Sequence, residues 1–241
     1  MRRKRMKGKE ERRLRIVTID GPAGSGKSTV ARAVAARTGL RYLDTGLLYR
    51  AIALFLSRKG IPPTEKDSLR TALEDLQLTL EGDRVRIGAE DVSEALRTPE
   101  IDRIVSLYAA LPSVRKRLLH LQQSQAVLPG LVADGRDMGS VVFPEAGLKI
   151  FLTAGAEERA RRRFLEQSSK GEKVLFEQVL SDVLSRDETD STREIAPLSV
   201  PKNAIVVDTT EKTVEQVVIE ILRLIDRTFG ENGSGVAGGA L

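Results

Sequence analysis

The sequence predicts an α/β fold in which a parallel sheet is covered by helices on both faces. Five short apolar runs, typical of strands that are buried on both faces, alternate with longer stretches of helical periodicity. A glycine-rich segment joins the first apolar run to the first helical stretch. The predicted strands cover residues 15–19, 40–43, 131–133, 148–152 and 204–207. The predicted helices cover residues 29–37, 47–58, 114–125, 156–167 and 214–228.

The first predicted strand leads into a phosphate-binding motif. Residues 21–28, GPAGSGKS, fit the template G-x-x-x-x-G-K-[ST] between a strand and a helix. In this context the backbone N–H groups converge at the positive end of the helix, Lys27 reaches the terminal phosphates and Ser28 binds Mg²⁺. We therefore predict a nucleoside triphosphate site with Mg²⁺, and disfavour a glycine-rich turn without a ligand. The predicted site comprises Gly21, Pro22, Ala23, Gly24, Ser25, Gly26, Lys27, Ser28 and Thr29.

The alternation is interrupted between the second and third predicted strands. Residues 76–80 and 84–87 alternate apolar and polar side chains around the turn sequence EGD at 81–83, which is the pattern of a β-hairpin. We therefore predict a small antiparallel insertion over about residues 62–105 within the parallel-sheet core.

Polar clusters follow the predicted strands at the edge of the sheet where ligands bind. The run DTGLLYR at 44–50 follows the second strand and DGRDMG at 134–139 follows the third, while Arg115 lies between them in sequence. Arginine suits phosphate recognition, and aspartate suits a nucleobase amino group or metal-bound water. Any one cluster alone favours a surface ion pair. Three at one edge predict a second, anionic substrate that faces the triphosphate.

A fourth charged region follows the strand at 148–152. Residues 157–164 begin with acids and end with bases, which complements a helix dipole and partly reflects a solvated helix face. The charges at 186–193 show little periodicity and predict a turn-rich, mobile connection. Loops that close over phosphates use arginine to screen charge and exclude water. We predict such a lid role for Arg186, Asp190 and Arg193 over the alternative of surface ion pairs.

Composition excludes several classes of site. The 241 residues contain no cysteine, so disulfides and thiolate metal sites are excluded. The single histidine, His120, cannot form a multi-histidine metal site, and its polar helical surroundings favour a surface or packing role. No apolar run approaches the roughly 18 residues that a transmembrane helix requires. We therefore expect no membrane partner.

The net charge of +5 is concentrated at the amino-terminal end. Residues 1–15 contain nine Lys and Arg and two Glu, so the remainder carries a small negative charge. A basic arm can contact nucleic acid, but no aromatic residues that would stack on bases are interleaved with it. We predict a disordered basic tail over 1–13, a folded region over 14–228 and a flexible Gly-rich tail over 229–241. We expect a cytoplasmic monomer without a nucleic-acid partner.

Together these motifs resemble those of bacterial cytidylate kinase. The resemblance covers about residues 14–225 and rests on the glycine-rich motif, on DTG at 44–46 with Tyr49 and Arg50, and on ADGRDMG at 133–139. The run DGRDMG is specific to this family, whereas adenylate and thymidylate kinases carry different acceptor motifs. Further matches are VVFP at 141–144, KIFL at 149–152, ERA at 158–160, APL at 196–198 and DTT at 208–210.

The resemblance implies transfer of the γ-phosphoryl group of ATP to CMP or dCMP, with Mg²⁺. It implies a P-loop NTPase core with a five-stranded parallel sheet flanked by helices, at residues 14–61 and 106–228. It further implies that the insertion at about 62–105 binds the nucleoside monophosphate and that a helical lid covers about 155–193. The implied catalytic residues are Lys27, Arg136, Arg186 and Arg193. Ser28 is the implied Mg²⁺ ligand. Asp134 is implied to interact with the ion without binding it directly.

The resemblance also implies how the acceptor is held. The implied residues are Thr45, Arg50, Ser106, Arg115, Arg136, Asp137, Arg186, Asp190 and Arg193. By this resemblance, Arg50 and Arg136 bind the phosphate of the acceptor. The cytosine base is bound by Ser106, Arg115 and Asp137, and the sugar by Asp190. Cytosine offers an amino donor that a carboxylate accepts, whereas uracil presents a carbonyl that a carboxylate repels. No general base is needed, because the acceptor is already an anion.

Three positions depart from the family pattern, and two alternatives remain open. Leu47 stands where a small residue is usual, Ser140 replaces Thr, and Asn203 stands where an acid is expected. These changes bear on acceptor affinity or sugar preference, but none removes a phosphate ligand. One alternative is a P-loop kinase with another small-molecule acceptor. The other is a nucleic-acid-associated NTPase in which the basic tail matters most.

Overall fold

The computed structural model describes residues 14–64 and 66–230, over which it has eight strands and eight α-helices. The tail predicted over 1–13 lies outside the described residues, as does the predicted carboxyl-terminal tail beyond Gly230. In chain order the elements are β1 (Arg15–Asp20), α1 (Lys27–Thr38), β2 (Arg41–Asp44), α2 (Thr45–Arg58), α3 (Asp67–Glu74), β3 (Leu78–Glu81), β4 (Arg84–Ile87), β5 (Glu90–Asp91), α4 (Pro99–Ala109), α5 (Pro112–Ser124), β6 (Gly130–Gly135), β7 (Leu148–Thr153), α6 (Ala156–Ser169), α7 (Phe176–Thr192), β8 (Ile205–Asp208) and α8 (Val214–Phe229).

Five strands of the described chain form one parallel sheet in the order β2-β6-β1-β7-β8. The predicted fold class is confirmed, and each predicted strand is present with its ends shifted by one or two residues. The register pairs Asp20 with Gly135 and Asp44 with Asp134, so the ends of β1, β2 and β6 meet at one edge. The polar clusters that follow these strands are therefore brought together, as parallel topology requires.

Helices cover both faces of the sheet because side chains alternate along each strand. Val132 of β6 packs on one face with α1 and α8, whereas its neighbours Leu131 and Ala133 pack on the other with α2 and α5. Helix α8 begins with a capping box between Thr213 and Gln216. It includes Phe229, one residue inside the tail predicted at 229–241.

The segment between α2 and α5 contains the predicted hairpin and more helix than predicted. Strands β3, β4 and β5 form an antiparallel sheet, with Gly82 at positive φ in the β3–β4 turn. Helices α3 and α4 were not predicted. The start of α4 carried a sequence signal, because the Thr98 side chain accepts a hydrogen bond from the Ile101 N–H and Pro99 occupies the first helical position. The division at about 62–105 stays a prediction, and α4 continues past it.

The prediction of a turn-rich connection at 186–193 is wrong. Arg186 and Asp190 lie on α7, and Arg193 directly follows that helix. Val179 and Val183, one turn apart, anchor α7 on Ala160 of α6 in a small separate core. Beyond Val183 the buried side of α7 is charged rather than apolar, since it faces a polar cavity. A helix of that kind shows no hydrophobic periodicity.

None of the described helices combines the length and apolar character that crossing a membrane requires.

The packing of α2 makes a direct prediction for stability. Ile52 is fully buried in the larger core, so Ile52→Ala should lower the free energy of unfolding by about 2–5 kcal/mol. Ile219→Ala on α8 is the matched control, because the same side chain is removed from a site that is 38% exposed. Its loss should stay below about 1 kcal/mol in urea unfolding. Equal losses in the two variants would contradict the packing described here.

Candidate active site

A cavity of about 540 Å³ opens at the sheet edge where β1, β2 and β6 end. It is lined from the glycine-rich loop by Ala23, Gly24, Lys27, Ser28 and Thr29. Every predicted acceptor residue also lines it, from α2, α4, α5, the turn after β6, and α7: Thr45, Arg50, Ser106, Arg115, Arg136, Asp137, Arg186, Asp190 and Arg193. Residues as far apart in sequence as Ala23 and Arg193 thus face one space, although no ligand contact is thereby assigned to any of them.

The glycine-rich loop is held against the neighbouring strand β7. Gly21, at φ 151°, could not be replaced without a clash, because a Cβ there would lie 2.1 Å from the Leu152 carbonyl oxygen. Gly24 and Gly26 also have positive φ, and α1 begins immediately afterwards at Lys27. Gly21, Pro22, Ser25 and Gly26 do not line the cavity. The loop therefore presents its far end to the cavity at a helix N-terminus, where anions are stabilised.

Lys27 is buried and lies in a positively charged surrounding. Its ammonium group donates a hydrogen bond to the Pro22 carbonyl at 3.1 Å. Burial lowers the pKa of Lys27, and the nearby charge of Arg136 lowers it further. An anion placed beside this side chain would oppose both effects and restore its charge.

Two aspartates pair with arginines deep in the cavity. Asp137 lies 2.7 Å from Arg115, and both side chains are less than a tenth exposed. Asp190 lies 2.8 Å from the Nε of Arg136 and 3.6 Å from Arg193. Burial alone would raise the pKa of Asp190, but the arginines hold it below its ordinary value. These pairs orient the guanidinium groups before any ligand arrives.

The cavity carries a surplus of positive charge. Among its described lining residues are ten Lys and Arg and six Asp and Glu. Arg186 illustrates the crowding, because burial lowers its pKa to about 10 and the charge of Arg136 contributes. A cleft with this balance attracts multiply charged anions.

Two carboxylates lie beside the loop end of the cavity. Burial raises the pKa of Asp134, and the charge of Asp44 raises it further. Within the described chain the buried Oδ2 of Asp134 has no hydrogen-bond partner. Thr45 donates a hydrogen bond to the Asp134 backbone carbonyl at 2.7 Å, which ties the start of α2 to β6. The arrangement leaves a carboxylate oxygen free for a ligand next to Ser28.

Sequence reasoning missed Asp20, the last residue of β1. Its carboxylate accepts hydrogen bonds from the backbone N–H groups of Met138 and Gly139, both at 2.8 Å. These residues begin a short π-helical turn, Met138–Val142, directly after Asp137. Asp20 thus connects the strand before the glycine-rich loop to the run DGRDMG at 134–139. An acid at the end of an apolar strand was the available signal.

Sequence reasoning also missed the pair between Arg159 on α6 and Asp187 on α7. The buried guanidinium group of Arg159 meets the Asp187 carboxylate through two contacts, at 2.6 and 3.0 Å. It also donates to the carbonyl of Ala23 at 3.2 Å and to that of Ala154 at 2.9 Å. One side chain therefore joins the glycine-rich loop, the residue that follows β7, and the helix that carries Arg186 and Asp190.

The three arginines at 161–163 lie in three different surroundings. Arg161 is exposed, as a solvated helix face predicts. Arg162 donates to the Thr209 carbonyl at 2.6 Å, and the Thr209 hydroxyl donates to the Ser25 carbonyl at 3.1 Å. Arg163 lines the cavity, as do Arg97 and Asp102 of the predicted insertion, which lie in none of the sequence motifs.

The three departures from the family pattern occupy different surroundings. Leu47 is buried in the larger core and lines the cavity. Ser140 is exposed in the π-helical turn. Asn203 is exposed at φ 64°, a left-handed conformation that asparagine tolerates well. Only Leu47 is therefore placed to affect the cavity directly.

Known proteins resemble this chain over most of its length. A family model described as "Cytidylate kinase" matches residues 17–227. A cytidylate kinase of Carboxydothermus hydrogenoformans is 46% identical, covering 88% of this chain and 97% of the relative. One of Caldanaerobacter subterraneus subsp. tengcongensis is 44% identical, covering 89% and 96%. A solved structure of an uncharacterized protein from Eubacterium ventriosum shares the fold at TM-score 0.50, with 14% identity and coverage of 88% and 99%.

The environment of Asp20 predicts a pH dependence of stability. Burial raises the pKa of Asp20 to about 6, despite its two backbone hydrogen bonds. The folded protein then binds more protons at this residue than the unfolded chain between about pH 4 and 6, so Asp20 stabilises less as pH rises. Relative to Asp20→Asn, wild type should lose about 2 kcal/mol between pH 4.5 and 7.5 in urea unfolding. A relative gain over that range would show that the hydrogen bonds outweigh burial.

Proposed function

Because the chain belongs to the cytidylate kinase family, we propose that it transfers the γ-phosphoryl group of ATP to CMP or dCMP, giving ADP and CDP or dCDP. The observation that carries this proposal is the shared cavity. The lysine of the phosphate-binding loop and all nine predicted acceptor residues line the same space. A direct transfer requires two nucleotides that face each other in this way.

Base recognition is assigned to the buried pair of Asp137 and Arg115, together with Ser106 on α4, which lines the same cavity. Arg115 is fixed by the Asp137 carboxylate, by the Ala109 carbonyl at 3.0 Å and by the Tyr49 ring at 5.4 Å. A rigid carboxylate can accept a hydrogen bond from the cytosine amino group, and it would repel the uracil carbonyl at that position. A buried site of this kind leaves its polar groups unpaired with the wrong base, which is the source of strong discrimination.

The acceptor phosphate is assigned to Arg50 and Arg136, and the sugar hydroxyls to Asp190. Lys27, Arg186 and Arg193 face the same space and would neutralise charge that develops during transfer. The phosphate of the acceptor is already an anion at neutral pH, so no side chain has to remove a proton. Catalysis then consists of positioning and charge neutralisation. The helix α7 that carries Arg186 would also limit the access of water.

The residues next to the loop fit a Mg²⁺ ion that is bound mainly by the triphosphate. Within residues 14–64 and 66–230, no group of three or more His, Cys, Asp or Glu side chains could hold a metal ion. Magnesium at nucleotides keeps several waters and needs only one or two protein contacts. We assign the hydroxyl of Ser28 as a ligand and the free Oδ2 of Asp134 as a partner of a coordinated water. When bound, Mg²⁺ neutralises charge on the β- and γ-phosphates.

The triphosphate itself is assigned to residues 21–29. Monomeric state, cytoplasmic location and the lack of a nucleic-acid partner stay predictions.

A nucleotide panel tests the acceptor. With ATP and Mg²⁺, ADP formation from CMP and dCMP should exceed that from UMP, AMP, GMP and dTMP by about 100-fold or more in kcat/KM. Asp137→Ala should lose most of the CMP and dCMP activity, since the carboxylate that reads cytosine is gone. Glu220→Ala on α8, which removes an exposed carboxylate from a Lys212 pair, is the control and should behave as wild type.

Several outcomes would contradict this assignment. Equal activity of wild type with UMP and CMP would be compatible with a kinase but would contradict the proposed recognition of cytosine. Preference for another nucleotide would identify a different acceptor. Because Asp137→Ala leaves Arg115 buried without its partner, its thermal unfolding is measured in parallel, and Asp137→Asn serves where the alanine variant is unfolded.

A second test addresses Mg²⁺. Chelation should abolish activity, and Ser28→Ala should lower kcat by about 10- to 1,000-fold while raising the Mg²⁺ concentration needed for half-maximal rate. Ser124→Ala removes an exposed hydroxyl from α5 and should change neither quantity. An unchanged Mg²⁺ requirement in Ser28→Ala would contradict the assigned ligand.

A further inference from the structure

A single carboxylate from the insertion reaches arginines on two other parts of the cavity wall. Asp102 lies on α4 and lines the cavity. One of its oxygens forms an ion pair with Arg50 on α2, and the other lies 3.6 Å from Arg163 on α6. The insertion, the sheet core and the predicted lid therefore meet at this side chain.

The ion pairs of Asp102 are less exposed to solvent than an ordinary ion pair on the protein surface. Its side chain is 30% exposed, and those of Arg50 and Arg163 are 21% and 24% exposed. By contrast, the pair of Arg58 and Glu90 on the outside of the insertion is about half exposed. Partial burial inside a cavity rich in arginine makes the charge of Asp102 relevant to ligands, because solvent screens it less.

The role of Asp102 is not explained by the contacts assigned to the acceptor nucleotide. Asp137 is assigned to the base and Asp190 to the sugar, and each has its own arginine. Asp102 instead holds Arg50, to which the acceptor phosphate is assigned. A carboxylate and a phosphate present similar oxygens to a guanidinium fork, so they compete for the same N–H donors. Two anions on these arginines would also repel each other.

We propose that Asp102 is a resident anion that holds Arg50 and Arg163 in the empty enzyme, and that the acceptor phosphate displaces it. This inference rests on the proposed function. The carboxylate keeps the two guanidinium groups oriented and paired, and it makes every incoming phosphate compete for them. A ligand that adds base and sugar contacts overcomes this competition, whereas inorganic phosphate alone does so poorly. Asp102 thereby weakens the binding of the nucleotide and of its phosphate fragment alike, and only the nucleotide has further contacts that keep it bound.

The test compares CMP with cytidine, which lacks the phosphate. Binding to the full-length protein is measured without ATP by calorimetry, for wild type and Asp102→Asn. CMP should bind about three- to tenfold more tightly to the variant, because its phosphate no longer competes with a carboxylate. The Kd for cytidine should stay within about twofold, and the Kd for inorganic phosphate should fall along with that for CMP.

Glu90→Gln is the matched control. It removes one negative charge from an arginine pair on the same insertion but outside the cavity, so the net charge equals that of Asp102→Asn. Its Kd for CMP should stay within about twofold of wild type. A similar tightening in both variants would show a general charge effect and would overturn the proposal.

The remaining outcomes are also decisive. Weaker CMP binding by Asp102→Asn would show that Asp102 only positions the arginines, and an equal change for cytidine would show that the phosphate is not involved. Either result overturns the proposal. Wild type that binds neither CMP nor cytidine would overturn the proposed function, and this inference with it.

A wild-type measurement covers the case in which the Asn variant does not fold. With ¹³C-labelled protein and assigned resonances, CMP should shift the Asp102 carboxyl signal, whereas cytidine should leave it unchanged. An Asp102 signal that CMP does not move would overturn the proposal.

Discussion

The two hydrogen bonds that Asp20 accepts from the backbone of Met138 and Gly139 are the contact on which the cavity depends. Asp20 ends the central strand and directly precedes the glycine-rich loop, while Asp137 directly precedes the bonded turn. A single carboxylate therefore links the glycine-rich loop to the turn that follows Asp137, which is assigned to the base. Burial of that carboxylate raises its pKa to about 6, so the connection costs stability at neutral pH.

Buried charge recurs around the cavity for the same reason. Arg159 with Asp187, Arg115 with Asp137 and Arg136 with Asp190 are all largely removed from solvent. Such pairs seldom stabilise a fold, because desolvation offsets their attraction. They do hold guanidinium groups in one orientation, which lowers the reorganisation needed when charge develops on a substrate. The buried pairs therefore fix the orientation of the guanidinium groups without adding much to the free energy of unfolding.

Local patterns in the sequence were enough to predict the sheet, the glycine-rich loop and the β3–β4 hairpin, since each depends on neighbouring residues. The helical state of 186–193 was missed because Arg186 and Asp190 occupy the buried side of α7, where apolar residues would have marked a helix. The residues that the resemblance predicts for the acceptor line one cavity, and their binding roles stay predictions. Asp102 and Arg159 escaped notice because, apart from the Ala154 carbonyl, their partners described above lie 28 to 136 positions away, and no local pattern records such a pair.

The acidic side chains of the cavity partly balance its positive charge. Ten basic side chains around about 540 Å³ repel one another, and burial together with Arg136 already lowers the pKa of Lys27. Without the carboxylates that line the cavity, this repulsion would be larger. Asp190 and Asp137 supply negative charge that stays with the site, and on our proposal Asp102 supplies charge that leaves when a phosphate enters. A nucleotide then replaces an existing anion and does not enter an uncompensated positive field. On this proposal the positive charge of the cavity is partly balanced both before and after a phosphate binds.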